Sequence, residues 1–125
     1  MIKVTAIAYT GYPVTDLARA RAFYEKTLGL APATVWENAG KGWIEYELGE
    51  GCLAISNGSA EQWKPSSDGP AIVLEVADMA AAAADLRAAG VKFKLEPQEF
   101  PPCHLAIVLD PDGNQVGLHQ RKAAS

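Results

Sequence analysis

Hydrophobic and polar positions first alternate with strand periodicity and then with helix periodicity in the first half of the chain. Residues 4–14 read as a strand in which Gly11 and Pro13 mark an irregular end. Residues 17–28 place apolar side chains on one stripe at about 100° per residue, which predicts a helix packed on a sheet. Residues 32–37, 42–48 and 52–56 predict three further strands separated by glycine-containing turns.

The second half repeats this order of elements. Residues 71–76 predict a strand, and residues 79–89 predict an alanine-rich helix. Three more strands are expected at 91–96, 104–109 and 115–119, the last two joined by the turn Asp110-Pro111-Asp112-Gly113-Asn114. Both halves therefore predict the order strand, helix, strand, strand, strand.

The two halves also share their helix boundaries, which indicates an internal duplication. Val14-Thr15-Asp16-Leu17 opens the first helix and Val76-Ala77-Asp78-Met79 opens the second, each with an Asp suited to cap the first turn. Gly29 and Gly90 stand where a left-handed C-terminal cap is needed. We expect a first module at 1–57, a polar linker at 58–70, a second module at 71–121 and a tail at 122–125, with a cleft at the pseudo-twofold interface.

Composition narrows the class of protein. With 125 residues, 49% of them hydrophobic, the chain is long enough for one pseudo-symmetric domain. A net charge of −4 with scattered Lys and Arg argues against nucleic acid as a partner. No apolar run approaches the ~20 residues that span a bilayer, and no leader pattern is visible, so we expect a cytoplasmic protein without membrane contact. Cys52 and Cys103 form no disulfide framework and are expected to be reduced.

Three short motifs add a family resemblance. Phe23-Tyr24, Leu28-Gly29-Leu30 and the turn Asp110–Asn114, together with the duplication, resemble the vicinal oxygen chelate superfamily over residues 3–121. That superfamily includes glyoxalase I, bleomycin-resistance proteins, extradiol dioxygenases and methylmalonyl-CoA epimerases. The resemblance implies an α+β fold with two tandem βαβββ modules, whose curled mixed sheets surround a shared cleft, and a homodimer. It does not imply one activity, because this scaffold carries many chemistries.

The resemblance also implies positions for a catalytic metal, and this chain departs from them. The first-strand position and its repeat fall on Tyr9 and Ala71, and the last-strand positions fall on Gly117 and on Ala54 or Ile55. None is the His or Glu found in the enzymes of the superfamily. Because a catalytic divalent ion needs about three protein ligands, we expect no metal and no cofactor here.

A few polar residues could still support catalysis. Period-two counting from those positions places Tyr9, Glu75, Gln115 and His119 toward the cavity. His119 could be a general acid or base, a single metal ligand or a histidine at the rim. His104 follows Cys103 directly, so their side chains point to opposite faces of a strand and do not form a nucleophile–base pair. The candidate catalytic residues are therefore His119, His104 and Glu75.

The first module is rich in aromatic residues. One face of strand 42–48 carries Ile44, Tyr46 and Leu48, and the other carries Trp43, Glu45 and Glu47. The two glutamates either face the cavity, where a carboxylate could bind a cation, or face solvent. Trp36, Trp43 and Trp63 could stack on a flat or cationic ligand or pack in a core or dimer interface. The candidate ligand-binding residues are Tyr9, Trp36, Trp43, Glu45, Tyr46, Gln115 and His119.

Two hypotheses follow for the function. The first is a metal-independent binding protein that sequesters a planar or cationic small molecule in an aromatic cleft. The second is a lyase, isomerase or dioxygenase-like enzyme with a relocated site, in which His104 or His119 acts with a Glu on a small carbonyl or aromatic substrate. Two histidines and one carboxylate close together would favour the enzyme, because such a cluster rarely arises from packing.

Overall fold

The computed structural model describes residues 1–3, 5–59 and 61–122. These residues form two compact units, one over 1–64 and the other over 65–125. The predicted linker is thus shared between the units, and Val4, Ala60 and the tail residues 123–125 lie outside the described residues. Each unit has a four-stranded mixed sheet and one helical segment in the order βαβββ, which confirms the α+β class and the tandem modules.

The first unit contains strands β1 to β4 in the spatial order β1-β4-β3-β2. Their bounds are β1 Thr10–Pro13, β2 Pro32–Asn38, β3 Lys41–Leu48 and β4 Gly51–Ser56. β1 runs parallel to β4, and the other neighbours are antiparallel. The predicted strand 4–14 is shorter in the structure, where β1 begins at Thr10, the partner of Leu53 on β4, and ends at Pro13.

The first helix begins at the predicted residue but changes from an α-helix to a π-helix along its length. Asp16 caps it, since its carboxylate accepts a hydrogen bond from the Arg19 amide at 3.0 Å. The α-helical part, α1, spans Leu17–Arg21 and continues as a π-helix over Ala22–Thr27. Phe23 and Tyr24, two members of the predicted apolar stripe, are both buried in this π-helical part.

The helical segment covers one face of the first sheet and leaves the other face open. Tyr24 stacks on Tyr46 with ring centroids 6.1 Å apart, so the β3 face that carries Ile44 and Tyr46 forms the core. Both side chains are fully buried, as the alternation predicted. The opposite face, with Trp43 and Glu45, is half-buried.

The second unit repeats this arrangement with strand order β5-β8-β7-β6. Its elements are β5 Ile72–Glu75, α2 Met79–Ala88, β6 Phe93–Phe100, β7 Cys103–Leu109 and β8 Gln115–Arg121. β6 ends four residues later than predicted. The register shifts between Leu95 and Gln98, so Pro97 sits at an irregularity of an edge strand and does not end it.

Candidate functional site

The open face of the first sheet carries a cavity of about 490 Å³ with aromatic walls. Tyr9, Trp36, Trp43 and Trp63 all line it, and they include all three tryptophans of the chain. The volume lies in the range of small-molecule sites. Large flat side chains around a cavity of this size favour an organic ligand over a metal ion or a polymer.

Strand register brings two of these rings together. Trp36 on β2 is the direct partner of Trp43 on β3, and partners in an antiparallel pair point to the same face. Tyr9, just before β1, meets Trp43 edge-on with ring centroids 5.0 Å apart and an interplanar angle of 86°. Trp36 is 59% exposed and Tyr9 is 47% exposed, so both rings present free surface to a ligand.

The fourth ring is supplied by the chain that leaves β4. Ser56 Oγ donates a hydrogen bond to the Gly42 carbonyl at 2.6 Å and accepts one from the Gly58 amide at 3.0 Å. The Ser59 carbonyl then accepts a hydrogen bond from the Trp63 amide at 2.8 Å. These hydrogen bonds hold the chain after β4 close to the sheet, so that Trp63 lies beside it.

Gly11 on β1 makes room for this indole. A Cβ atom at position 11 would lie 3.0 Å from Cη2 of Trp63 and 3.2 Å from Cε2 of Tyr9, closer than side-chain packing normally allows. A glycine in a strand often marks such a close approach. Trp63, which the sequence offered as a stacking residue, therefore lines the site together with Gly11, which was not considered for binding from the sequence. A glycine within a strand was the signal that could have found Gly11.

The other candidates of the first unit divide between the two faces of β3. Glu45 lies on the open face, where its Oε2 accepts a hydrogen bond from Trp43 Nε1 at 2.8 Å. Tyr46 lies on the covered face, is fully buried, and donates its hydroxyl hydrogen bond to Glu25 at 2.9 Å. Glu45 thus contacts Trp43 in the wall of the aromatic cavity without lining the cavity itself, and Tyr46 lies on the other side of the sheet.

In the second unit, the candidates Glu75 and His119 meet. They are partners in the parallel pairing of β5 with β8, and His119 Nδ1 lies 2.6 Å from Glu75 Oε1. Glu75 Oε2 accepts a further hydrogen bond from the Arg121 amide at 2.7 Å. This backbone bond and the His119 contact hold the pKa of Glu75 below its usual range. With Nδ1 engaged, the Nε2 atom of His119 is the one left for a proton transfer.

His104 lies apart from this pair. It is the β7 partner of Gln120, whereas His119 is the partner of Leu105, so the two histidines point to opposite faces of the second sheet. Cys103 precedes His104 and faces the side of His119, as the alternation predicted for this dipeptide. Gln115 also faces that side, and its amide nitrogen donates to the Ser67 carbonyl.

The positions of the superfamily's metal ligands carry no donor set. At the last-strand positions, Ala54 is paired with Gly11 and Gly117 is paired with Val73, so neither these residues nor their strand partners offer a side-chain donor atom. Within residues 1–3, 5–59 and 61–122, no three His, Cys, Asp or Glu side chains are grouped closely enough to hold a metal ion. The described side chains do not fit a resident divalent cation of the usual kind. None of the described helices is long and apolar enough to cross a bilayer.

A protein-family model matches most of the chain. The model of the Glyoxalase/Bleomycin resistance protein/Dioxygenase superfamily matches residues 6–118. No protein of curated function was found to match the sequence.

Solved structures are similar over nearly the whole chain. TnmS3, an antibiotic binding protein from Streptomyces sp. CB03234, is 22% identical with a TM-score of 0.76, covering 98% of this chain and 100% of its own. A glyoxalase/bleomycin resistance protein from the same organism is 25% identical with a TM-score of 0.73, covering 90% and 97%. The fosfomycin resistance protein FosX from Listeria monocytogenes is 14% identical with a TM-score of 0.74, covering 96% of each chain.

Proposed function

Since the chain belongs to the glyoxalase/bleomycin resistance protein/dioxygenase superfamily, we propose that it is a small-molecule binding protein that sequesters a planar or cationic ligand. The aromatic cavity of the first unit carries this proposal. Four rings around about 490 Å³ provide stacking surface, two of them on paired strands and a third, Trp63, on a segment held by hydrogen bonds of Ser56 and Ser59. The antibiotic-binding role of TnmS3, which shares the fold, is in keeping with a binding function.

We further propose that binding is independent of metal. The resemblance places the superfamily's ligand positions on Tyr9, Ala71, Gly117 and either Ala54 or Ile55. A hydrophobic cavity with flat walls needs no ion to hold an aromatic ligand. Homodimer formation and a cytoplasmic location stay predictions from the sequence.

The test is titration calorimetry with 1-methylquinolinium, a flat cation of suitable size, with and without chelator. We expect saturable binding that the chelator leaves unchanged. Trp36→Ala should weaken it by about five- to thirtyfold, since stacking on one indole contributes about 1–2 kcal/mol. Phe100→Ala is the matched control, because Phe100 is an exposed aromatic residue of the other unit. Equal affinities in the wild type and Trp36→Ala, or binding abolished by chelator, would contradict the proposal.

The contact between Glu75 and His119 favours a second candidate function, proton transfer on a small carbonyl compound. Glu75 orients the imidazole through Nδ1, so Nε2 could remove a proton from a carbon next to a carbonyl group and return it. The proton would go from carbon to Nε2 and back, with no change of oxidation state overall. This is the chemistry of an isomerase.

Deuterium exchange tests this second function without a known substrate. The protein is incubated in deuterated buffer with a panel of small hydroxyketones, and deuterium entering the carbon is followed by proton NMR. Exchange that His119→Gln removes and His104→Gln retains would support an enzyme. Equal exchange in the wild type and His119→Gln would leave the binding protein as the function.

A further inference from the structure

The aromatic cavity contains an indole ring with an unusual neighbour. Glu45 follows Trp43 by two residues on β3, and both side chains lie on the open face of the sheet. The Glu45 carboxylate accepts the Trp43 Nε1 hydrogen bond at 2.8 Å. A hydrogen bond from the indole N–H to a full negative charge draws the proton toward oxygen and leaves more electron density on the ring. The face of Trp43 is therefore more negative than that of an ordinary tryptophan.

The charged side chains on the open face of β3 are two carboxylates and one ammonium group. None of the described residues that line the cavity is a Lys or an Arg. Lys41, Glu45 and Glu47 share the open face of β3 and none of the three lines the cavity, but Glu45 accepts a hydrogen bond from the lining residue Trp43. Burial, together with the charges of Glu45 and Glu47, raises the pKa of the Cys52 thiol on the neighbouring strand. The two carboxylates thus make the surroundings of Cys52 more negative.

We propose that the cavity selects an organic cation, either a flat cationic ring or an alkylated ammonium group, over a neutral molecule of the same shape. The inference rests on the proposed binding function and names the chemical class of its ligand. A cation over an indole face is held by the negative charge of the ring, and the nearby carboxylate adds direct attraction. A neutral ring of the same shape is held only by stacking, which contributes equally to binding of the cation and of the neutral molecule.

A matched pair of ligands tests the charge alone. Calorimetry compares 1-methylquinolinium with neutral 4-methylquinoline at pH 8, both flat and of nearly equal size. We expect the cation to bind about tenfold more tightly. Equal affinity of the two would overturn cation selection and leave the binding protein intact, because an aromatic cavity would still hold both. Binding of neither ligand would contradict the proposed function itself, and the inference with it.

A matched pair of variants tests the role of Glu45. Glu45→Gln keeps an oxygen acceptor for Trp43 Nε1 and removes the charge, so the indole stays in place. Glu47→Gln removes the same charge from the same face of β3, two residues further along. We expect Glu45→Gln to reduce the preference for the cation at least about fivefold and to leave binding of 4-methylquinoline unchanged. Glu47→Gln is expected to change the preference less than about twofold, and an equal effect of the two variants would overturn the role of the Trp43–Glu45 contact.

Discussion

At the scale of single residues, neighbouring side chains of β3 lie on opposite faces of the sheet and have different partners. Trp43 and Glu45 lie on the open face with the cavity, whereas Tyr46 lies on the covered face against the helix. Burial and the hydrogen bond to Glu25 raise the pKa of Tyr46 far above its usual range. Its hydroxyl donates a hydrogen bond to Glu25 on the helical segment, so Tyr46 joins the helix to the sheet on the face away from the cavity.

Glu25 gives this contact a dependence on pH. Burial raises its pKa, but hydrogen bonds from Arg21 at 2.6 Å and from Tyr46 outweigh burial and hold the pKa below its usual value. A carboxyl group with a lower pKa in the folded state stabilises the protein above its unfolded-state pKa and loses that contribution as pH falls through the folded-state pKa. We expect the free energy of unfolding in urea to fall as pH decreases below about 4.5, and to fall less in Glu25→Gln. Parallel pH profiles of the two proteins would contradict this.

Gly11 offers a test of cavity shape that leaves every functional group in place. Its backbone is not in the left-handed region, so alanine is tolerated by the strand itself. The added methyl group would meet the Trp63 ring at 3.0 Å and displace it. We expect Gly11→Ala to weaken binding of 1-methylquinolinium about three- to tenfold, measured by calorimetry. Gly69→Ala, with no atom near the new methyl group, is the control, and equal affinity of the two variants would contradict the close approach of Trp63.

At the scale of elements, the chain uses the same helix boundaries twice. Asp16 and Asp78 each accept an amide hydrogen bond from three residues further on, at 3.0 and 3.1 Å. Gly29 and Gly90 follow the helices with φ of 76° and 75°, the left-handed conformation that glycine adopts without strain. Each of these caps depends only on residues close to its own end of the helix. The start and the end of both helices could therefore be predicted from the sequence.

Capping of the second helix should be measurable by itself. We expect Asp78→Ala to lower the free energy of unfolding by about 1 kcal/mol, because the Ala81 amide loses its acceptor and the first turn loses a favourable charge. Asp78→Asn should retain most of that stability, since Asn also caps. Urea unfolding followed by circular dichroism measures both variants. A loss in Asp78→Asn as large as that in Asp78→Ala would show that the charge matters more than the hydrogen bond.

Features that depend on distant parts of the chain were harder to predict. The π-helix at Ala22–Thr27 was not predicted, because an apolar stripe at helical spacing is the same for a regular α-helix. The register shift that carries β6 past Pro97 depends on its partner β7. Alternation did place Glu75 and His119 on one face, but their contact needed the strand order β5-β8, which the sequence does not reveal.

At the scale of the whole molecule, the sheet of the first unit ends in an unusually exposed strand. Every residue of β2 is exposed, including Val35 at 48% and Trp36 at 59%. Apolar side chains on an edge strand are a common route to association between chains.

We therefore expect the homodimer that the family resemblance implies. Sedimentation equilibrium at micromolar concentration should give twice the mass of one chain, and Val35→Lys should shift the distribution toward single chains. A single-chain mass for the wild type over the whole concentration range would contradict the dimer. Wild-type binding affinity in Val35→Lys would further show that the cavity does not depend on association.

The parallel pairing at the edge of each sheet also has a consequence for how the protein is made. β1 pairs with β4 and β5 pairs with β8, so in each unit the strand synthesised first bonds to the strand synthesised last. Such a closure between distant segments is slow compared with hairpin formation. Neither sheet can be completed until its final strand leaves the ribosome, but the first can be closed while the second is still being translated. Because of the duplication, each sheet is completed by strands of its own half of the chain and needs none from the other half.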